Sequence, residues 1–263
     1  MMIFSRPKFV PLALTGCAAL VLLSVSPVRA ENFTPEQKAE LNTLFEAYLM
    51  ENGEKIMQSV DKFRMNQEKK TAETAQESLE KHKEFLSGKD LPTMGNPDGD
   101  VTLVEYFDYN CGYCKRMFED LVVLVKEDTN LRVVLKELPI LSPASDMMAR
   151  FALAAHKQGK YFEMHQGLMQ HRGAQTEEAF YELAKNLGLD TAKLKTDYAD
   201  PSIQAALDKN REIARDLGIQ GTPGIIIGDQ IYRGYIGLDG VKQSLKEERE
   251  KQAGKKPEEK PAQ

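Results

Sequence analysis

Two cysteines two residues apart, Cys111-Gly112-Tyr113-Cys114, stand where a run apolar on both alternating faces, Val101 to Phe107, gives way to a helical pattern. A strand apolar on both faces belongs in the interior of a covered sheet, so the chain has to fold in layers around it. With the helix starting at the cysteines, Cys111 sits at its N-terminus, where unpaired N–H groups and the positive end of the dipole favour a thiolate. Cys111 is therefore the expected nucleophile. Phe118, Leu121, Val122 and Val125 share one helical face with Cys114, which places Cys114 on the inward side. Cys114 is the expected buried, resolving thiol, and the pair the expected redox-active disulfide.

The rest of the chain supplies those layers. Leu131 to Leu138 repeats the apolar strand character, and strand, helix, strand in this order predicts a right-handed parallel crossover. From about 142 to 217 the pattern is helical throughout, in runs at 144–156, 161–169, 177–187, 191–198 and 202–217, with Gly188 and Gly218 as stops. This is too much helix for a crossover and reads as a helical subdomain inserted into an α/β sheet. The sheet resumes at Ile225-Ile226-Ile227, turns at Gly228-Asp229, pairs through Ile231-Tyr232 and is covered by a last helix over 238–248. Residues 249–263, charged and proline-containing beyond Lys251, read as a disordered tail.

At the other end, residues 1–30 carry Arg6, Lys8 and Arg29 but no acid, and enclose an apolar run ending in Val28-Arg29-Ala30. That is the pattern of a secretory signal peptide, with Glu31 as the expected mature start. Leu14-Thr15-Gly16-Cys17 resembles a lipidation box, but cleavage there would leave most of the apolar run on the product, which disfavours an anchor at Cys17. Residues 31–90 read as a helical arm. Thr34-Pro35-Glu36-Gln37 is a capping box with proline at the first helical position, and Leu41, Leu44, Phe45, Tyr48 and Leu49 form a stripe ended by Asn52-Gly53. Ile56, Val60 and Phe63 continue it, and beyond Asn66 the helix turns polar. An arm with no core of its own is either a solvated spacer or an oligomerisation element burying its stripe against a second copy. Pro92, Gly95, Pro97 and Gly99 mark 88–100 as a linker, so the catalytic domain is expected over 91–248.

The mature chain keeps two cysteines, both in the motif, so no structural disulfide competes for them. Removing the signal's three basic residues from the chain's 35 leaves 32 against 40 acidic ones, which argues against nucleic acid as a partner. A zinc site would need further ligands, and the histidines show no ligand spacing with the motif, so no metal site and no cofactor are expected. His156 and His165 sit in helical runs where packing is the ordinary explanation. Glu105 alternates with Leu103 and Phe107 and should point into an apolar layer beneath the thiols. There its raised pKa would let it exchange a proton with Cys114, unless it lies at a wet sheet edge. Lys136 in the neighbouring strand is a candidate partner for it. Thr222-Pro223, flanked by Gly221 and Gly224 where the helical insert returns to the sheet, is either a turn or a cis-proline whose preceding peptide pairs with an extended substrate.

These features together resemble the DsbA-like branch of the thioredoxin superfamily: Glu105, then Cys111-Gly112-Tyr113-Cys114, a helical insert, and Gly221-Thr222-Pro223 before the closing hairpin. Phe107-Asp108-Tyr109-Asn110-Cys111 and Gly95-Asn96-Pro97 resemble more particularly the ScsC-type periplasmic proteins. The resemblance spans roughly 91–248. It implies a thioredoxin fold in which Cys111 attacks, Cys114 resolves, Pro223 is cis and Glu105 is the buried proton carrier, with Gly112, Tyr113 and Thr222 lining the substrate site. The departure lies between the cysteines, where Gly-Tyr is similar to the isomerase DsbC rather than to DsbA oxidases.

The expected function is that of a periplasmic thiol:disulfide oxidoreductase, an isomerase or reductase of unfolded or misoxidised secreted proteins, served by a membrane thiol reductase or oxidase. The arm makes it a homotrimer or homodimer. Rival readings are a DsbA-like dithiol oxidase, a Cu(I)-binding metal-handling protein, and a surface protein with incidental thiols.

Overall fold

The strand that ends at the cysteines, β2 (Val101–Phe107), is the middle strand of a five-stranded sheet in the computed structural model, which describes residues 33–255. Its order is β1-β3-β2-β4-β5, with β1 Thr93–Gly95, β3 Leu131–Glu137, β4 Gly224–Ile227 and β5 Gln230–Arg233. β2 and β3 run parallel through the crossover helix α4 (Gly112–Glu127), as the strand–helix–strand order requires, while β1, β4 and β5 join antiparallel. The described residues split into two units at Lys62/Phe63. The expected signal peptide, with Cys17, and residues 256–263 lie outside the described residues.

Strand alternation divides the core into two layers. Val101, Leu103 and Phe107, with Leu131, Val133, Leu135, Ile225 and Ile227, face the layer that holds α4 and the helical insert. That insert consists of α5 (Pro143–His156), α6 (Tyr161–Gln170), α7 (Glu177–Asn186), α8 (Thr191–Tyr198) and α9 (Pro201–Asp216). Gly188 and Gly218 end α7 and α9 at φ 76° and 68°, the left-handed values that let a glycine terminate a helix. Val104, Tyr106, Val134 and Ile226 face the opposite layer, which is closed by Ile213 and Ala214 of α9, by its C-cap Leu217 and by two residues from ahead of the sheet, Leu79 and Leu86.

Those two residues move the expected boundary. Leu79 belongs to α2 (Gly53–Lys81) and Leu86 to α3 (Lys83–Ser87), so the compact catalytic unit starts well before 91. The expected linker also contains structure: Thr93–Gly95 is an edge strand on β3, and Pro92, which has no N–H to give, accepts from Leu135 N at 2.9 Å. Three residues are too few for a visible alternation. The expected tail is corrected as well, because the last helix, α10, runs Gly237–Lys255. Arg249 holds it by forked bonds to Asp100 and Asp128, and Lys251 pairs with Asp229. None of these partners is local in sequence.

In the other unit, α1 (Pro35–Glu51) starts at the Thr34 capping box, stops at Asn52 and buries none of its residues. Leu44, Phe45, Tyr48, Leu49, Met50, Met57 and Val60 are all exposed. Among the described residues no helix is long and apolar enough to cross a membrane.

Candidate active site

Cys111 is the N-cap of α4, with extended φ/ψ and no side-chain cap bond, which sets it at the end of the helix whose first turn leaves amides unpaired. Its own N–H donates to Asp108 O at 3.0 Å, and Lys115 N donates to its carbonyl at 3.1 Å. Both cysteines are free thiols here; Cys111 is 8% exposed and Cys114, one helical turn inward, 0%. The Thr222–Pro223 peptide is cis, and Cys111 Sγ donates to Thr222 O at 3.2 Å. Methyl groups built at Gly112 and Gly221 would meet nothing within 4 Å, so the ground around Cys111 is open.

Glu105 lies under the thiols on β2, between Leu135 and Ile225 of the flanking strands. It is buried, and neither carboxylate oxygen has a hydrogen-bond partner. Burial, and next the charge at Cys111, hold its pKa well above the ordinary carboxylate range. The Cys114 thiol is pushed up in the same way, first by burial and then by Glu105. An acid whose pKa is raised by burial, beneath a thiol that resists ionisation, can pass a proton to it or take one from it.

Lys136 does not pair with Glu105. It is in register with Tyr106, not with Glu105, so it emerges on the other face of the sheet. There Nζ donates to Phe85 O at 2.6 Å and lies 3.8 Å from the Phe85 ring centre, and burial followed by Arg132 lowers its pKa to about 7. A one-residue difference in parity separates the two groups.

The structure adds residues that sequence reasoning missed. Asp108, buried three residues before Cys111, accepts from Asn110 N (2.7 Å), Ser145 Oγ (2.7 Å), Ile140 N (2.9 Å) and Leu141 N (3.0 Å). It thereby ties the β3–α5 turn to the cysteine loop. Tyr113 stacks on Tyr235 at 5.9 Å, and Tyr235 OH donates to Asp120 Oδ2 at 2.6 Å. Behind the site, Glu137 Oε1 accepts from Tyr109 OH (2.9 Å) and Tyr161 OH (2.7 Å). His165 Nδ1 lies 3.0 Å from Tyr109 OH, inside a cage with Phe107 and Phe118, and its burial lowers its pKa to about 3. Glu137 alternates with Leu131, Val133 and Leu135, the same signal that singled out Glu105. His156 packs edge-on against Tyr161. No cluster of three metal-binding side chains occurs among the described residues.

A thioredoxin-like sheet with a cysteine pair at the first helix and a cis-proline opposite defines a dithiol protein. Residues 102–246 match the DSBA-like thioredoxin domain, and the chain belongs to that family. Its site is that of a thiol:disulfide oxidoreductase of the DsbA/ScsC type. A thioredoxin-like oxidoreductase from Silicibacter pomeroyi is 38% identical, with a TM-score of 0.61 over 64% of this chain and 97% of that one. A linker-deletion mutant of Proteus mirabilis ScsC is 27% identical, with a TM-score of 0.63 over 84% and 98%. Among curated relatives, Disulfide bond formation protein D of Bacillus subtilis is 21% identical over 173 residues, 61% of this chain and 78% of the relative. The Na(+)/H(+) antiporter NhaA 1 of Salinispora arenicola is 28% identical over 149 residues, 56% of this chain. The chain spans only 23% of that antiporter's length.

Proposed function

We propose that the protein is a periplasmic disulfide isomerase or reductase acting on secreted proteins. The observation that carries the thiol chemistry is the asymmetry of the pair: Cys111 at an open helix end beside Thr222 O, and Cys114 sealed over Glu105. Cys111 thiolate attacks a substrate disulfide, whose S–S bond breaks as the mixed disulfide forms and one substrate thiolate leaves. In reduction, Cys114 then attacks Cys111 Sγ, giving its proton to the carboxylate form of Glu105. The Cys111–Cys114 disulfide forms, and the substrate departs reduced by two electrons. In isomerisation a second substrate cysteine makes that attack and no electrons are exchanged overall. Thr222 O and the open ground at Gly112, Tyr113 and Gly221 receive the substrate backbone. No cofactor takes part.

Isomerase is preferred to oxidase because of α1. Its exposed Leu44, Phe45, Tyr48 and Leu49 would each contribute about 1.5–3 kcal/mol if covered, and a second and third copy of the arm cover them most simply. A trimer or dimer places several Cys111 sites around one client and hinders a membrane oxidase from reaching them. A membrane thiol reductase then keeps the pair reduced. The periplasmic assignment draws on residues 1–30 and on the similar periplasmic thioredoxin-like protein of Salmonella enterica.

The second reading, a dithiol oxidase, is favoured by the relative named for disulfide bond formation. Refolding of a scrambled-disulfide substrate and oxidation of a reduced one, measured side by side on the mature chain, separate the two. Oxidation without rescue would select the oxidase.

A further inference from the structure

The chain is acidic overall, yet cations stand beside Cys111. Lys115 and Arg116 occupy the first turn of α4, next to Tyr113. Arg172, at the end of α6, donates to Met169 O and His171 O, which fixes its guanidinium, and it lies near enough to Lys115 to lower that lysine's pKa after burial has done so. The segment around it reaches the cysteine loop through Gln175 Nε2, which donates to Asn110 Oδ1 at 2.6 Å. None of the ion pairs among the described residues involves Lys115, Arg116 or Arg172. The nearby Asp120 is engaged by Tyr235, and Arg116 lies 5.9 Å from the Tyr113 ring centre.

Apolar surface adjoins these cations. Tyr113, Ile140 and Leu141 are 58%, 44% and 54% exposed; from the sheet onward the one other large apolar side chain so exposed among the described residues is Val123. They are held out rather than loose. Asp108 takes the Ile140 and Leu141 amides, and Tyr235 backs Tyr113. A fixed apolar ledge next to cations held in no ion pair is the complement of a segment with both acidic and apolar side chains.

On the thiol-exchange reading above, we infer that this face docks cysteine-bearing segments of client proteins that are acidic and apolar around the cysteine, with Lys115, Arg116 and Arg172 taking the carboxylates and Tyr113, Ile140 and Leu141 the apolar side chains. The cations speed encounter and the ledge holds the segment while Cys111 reacts. Basic segments are disfavoured by the same charges.

The test uses the reduced full mature chain and three peptides whose single cysteine is capped by 2-mercaptoethanol as a mixed disulfide and flanked by Asp and Leu, Ser and Leu, or Lys and Leu. Attack by Cys111 is timed by stopped flow, each rate being divided by the same protein's rate with bis(2-hydroxyethyl) disulfide. At about 0.01 M salt the acidic peptide should react about tenfold faster than the basic one. At about 1 M, where screening acts within roughly 3 Å, the ratio should fall towards one. Lys115→Gln with Arg172→Gln should cut the low-salt ratio to about half or less, and replacing Leu by Ser in the acidic peptide should slow it. Equal rates for acidic and basic peptides at low salt, or an undiminished ratio in the double variant, would overturn the charge complementarity. An acidic peptide indifferent to Leu→Ser would overturn the ledge. Failure to react with bis(2-hydroxyethyl) disulfide would instead overturn the thiol-exchange reading itself.

Discussion

Cys111 Sγ donates to the carbonyl oxygen of Thr222 at 3.2 Å, a contact closed across 111 residues of chain. It is possible because β2 and β4 pair antiparallel, with Tyr106 opposite Gly224, so the end of one strand and the start of the other meet at the same edge of the sheet. Cys114 lies behind that edge, sealed by α4. The two thiols therefore face different surroundings although only two residues separate them.

That difference predicts the order of alkylation. Iodoacetamide should label Cys111 in the native reduced protein and leave Cys114 until denaturant is added, since burial and Glu105 both oppose its ionisation. Each unit of raised pKa removes about tenfold of the thiolate, so a Cys114 rate less than about tenfold below that of Cys111 contradicts the structure. Peptide mass spectrometry over a time course decides it.

Glu105→Gln keeps the shape of the side chain and removes the proton it exchanges. Release of the mixed disulfide by Cys114 should slow by about 10²–10⁴-fold, the usual contribution of a positioned acid or base. The first attack by Cys111 should change little. Stopped-flow traces showing both steps slowed equally would make Glu105 structural only.

Lys136→Met tests the corrected role of that lysine. It should leave mixed-disulfide release at the wild-type rate, because Lys136 is on the other face from Glu105. Loss of its bond to Phe85 O and of its contact with the Phe85 ring should cost about 1–3 kcal/mol. Urea titration measures the stability, and slowed release would restore the Glu105 pairing.

Glu137 makes stability depend on pH. Burial outweighs the bonds from Tyr161 and Tyr109 and, with Asp108 nearby, raises its pKa from 4.5 to about 8. Between those values the folded protein holds a proton that the unfolded chain releases, so this group's contribution to stability falls as pH rises from about 4.5 to about 8 and is level above. Glu137→Gln lacks that slope. Denaturant titrations across the window should show the variant gaining on the wild type as pH rises, and a constant gap would refute the assignment.

Truncation tests the arm, and the fold dictates where to cut. Leu79 and Leu86 are part of the sheet's second layer, so the deletion should end at Lys62 rather than at residue 90. The mature full chain should scatter light as a trimer or dimer at micromolar concentration. The chain starting at Phe63 should be monomeric, retain thiol exchange and lose most isomerase activity. A monomeric full chain would remove the reason for preferring isomerase to oxidase.

Sequence alone determined what depends on neighbours in the chain. The α1 capping box, the stops at Gly188 and Gly218, the five helices of the insert, the two-faced strand β2 and the inward side of Cys114 all follow from spacings of a few residues, which backbone geometry converts directly into faces and ends. Glu105 was legible for that reason, and Glu137 carried the same strand-parity signal. Tertiary structure alone decided what depends on register and distant partners. Whether Lys136 met Glu105 turned on which residue of β3 stands opposite Glu105, and it is Leu135. The length of α10 turned on Asp100 and Asp128, far away in the chain, receiving Arg249. The Asp108 ties that hold Ile140 and Leu141 beside Cys111 likewise join segments more than thirty residues apart. Such contacts leave no periodic trace, because their energy comes from groups brought together only after the sheet has formed.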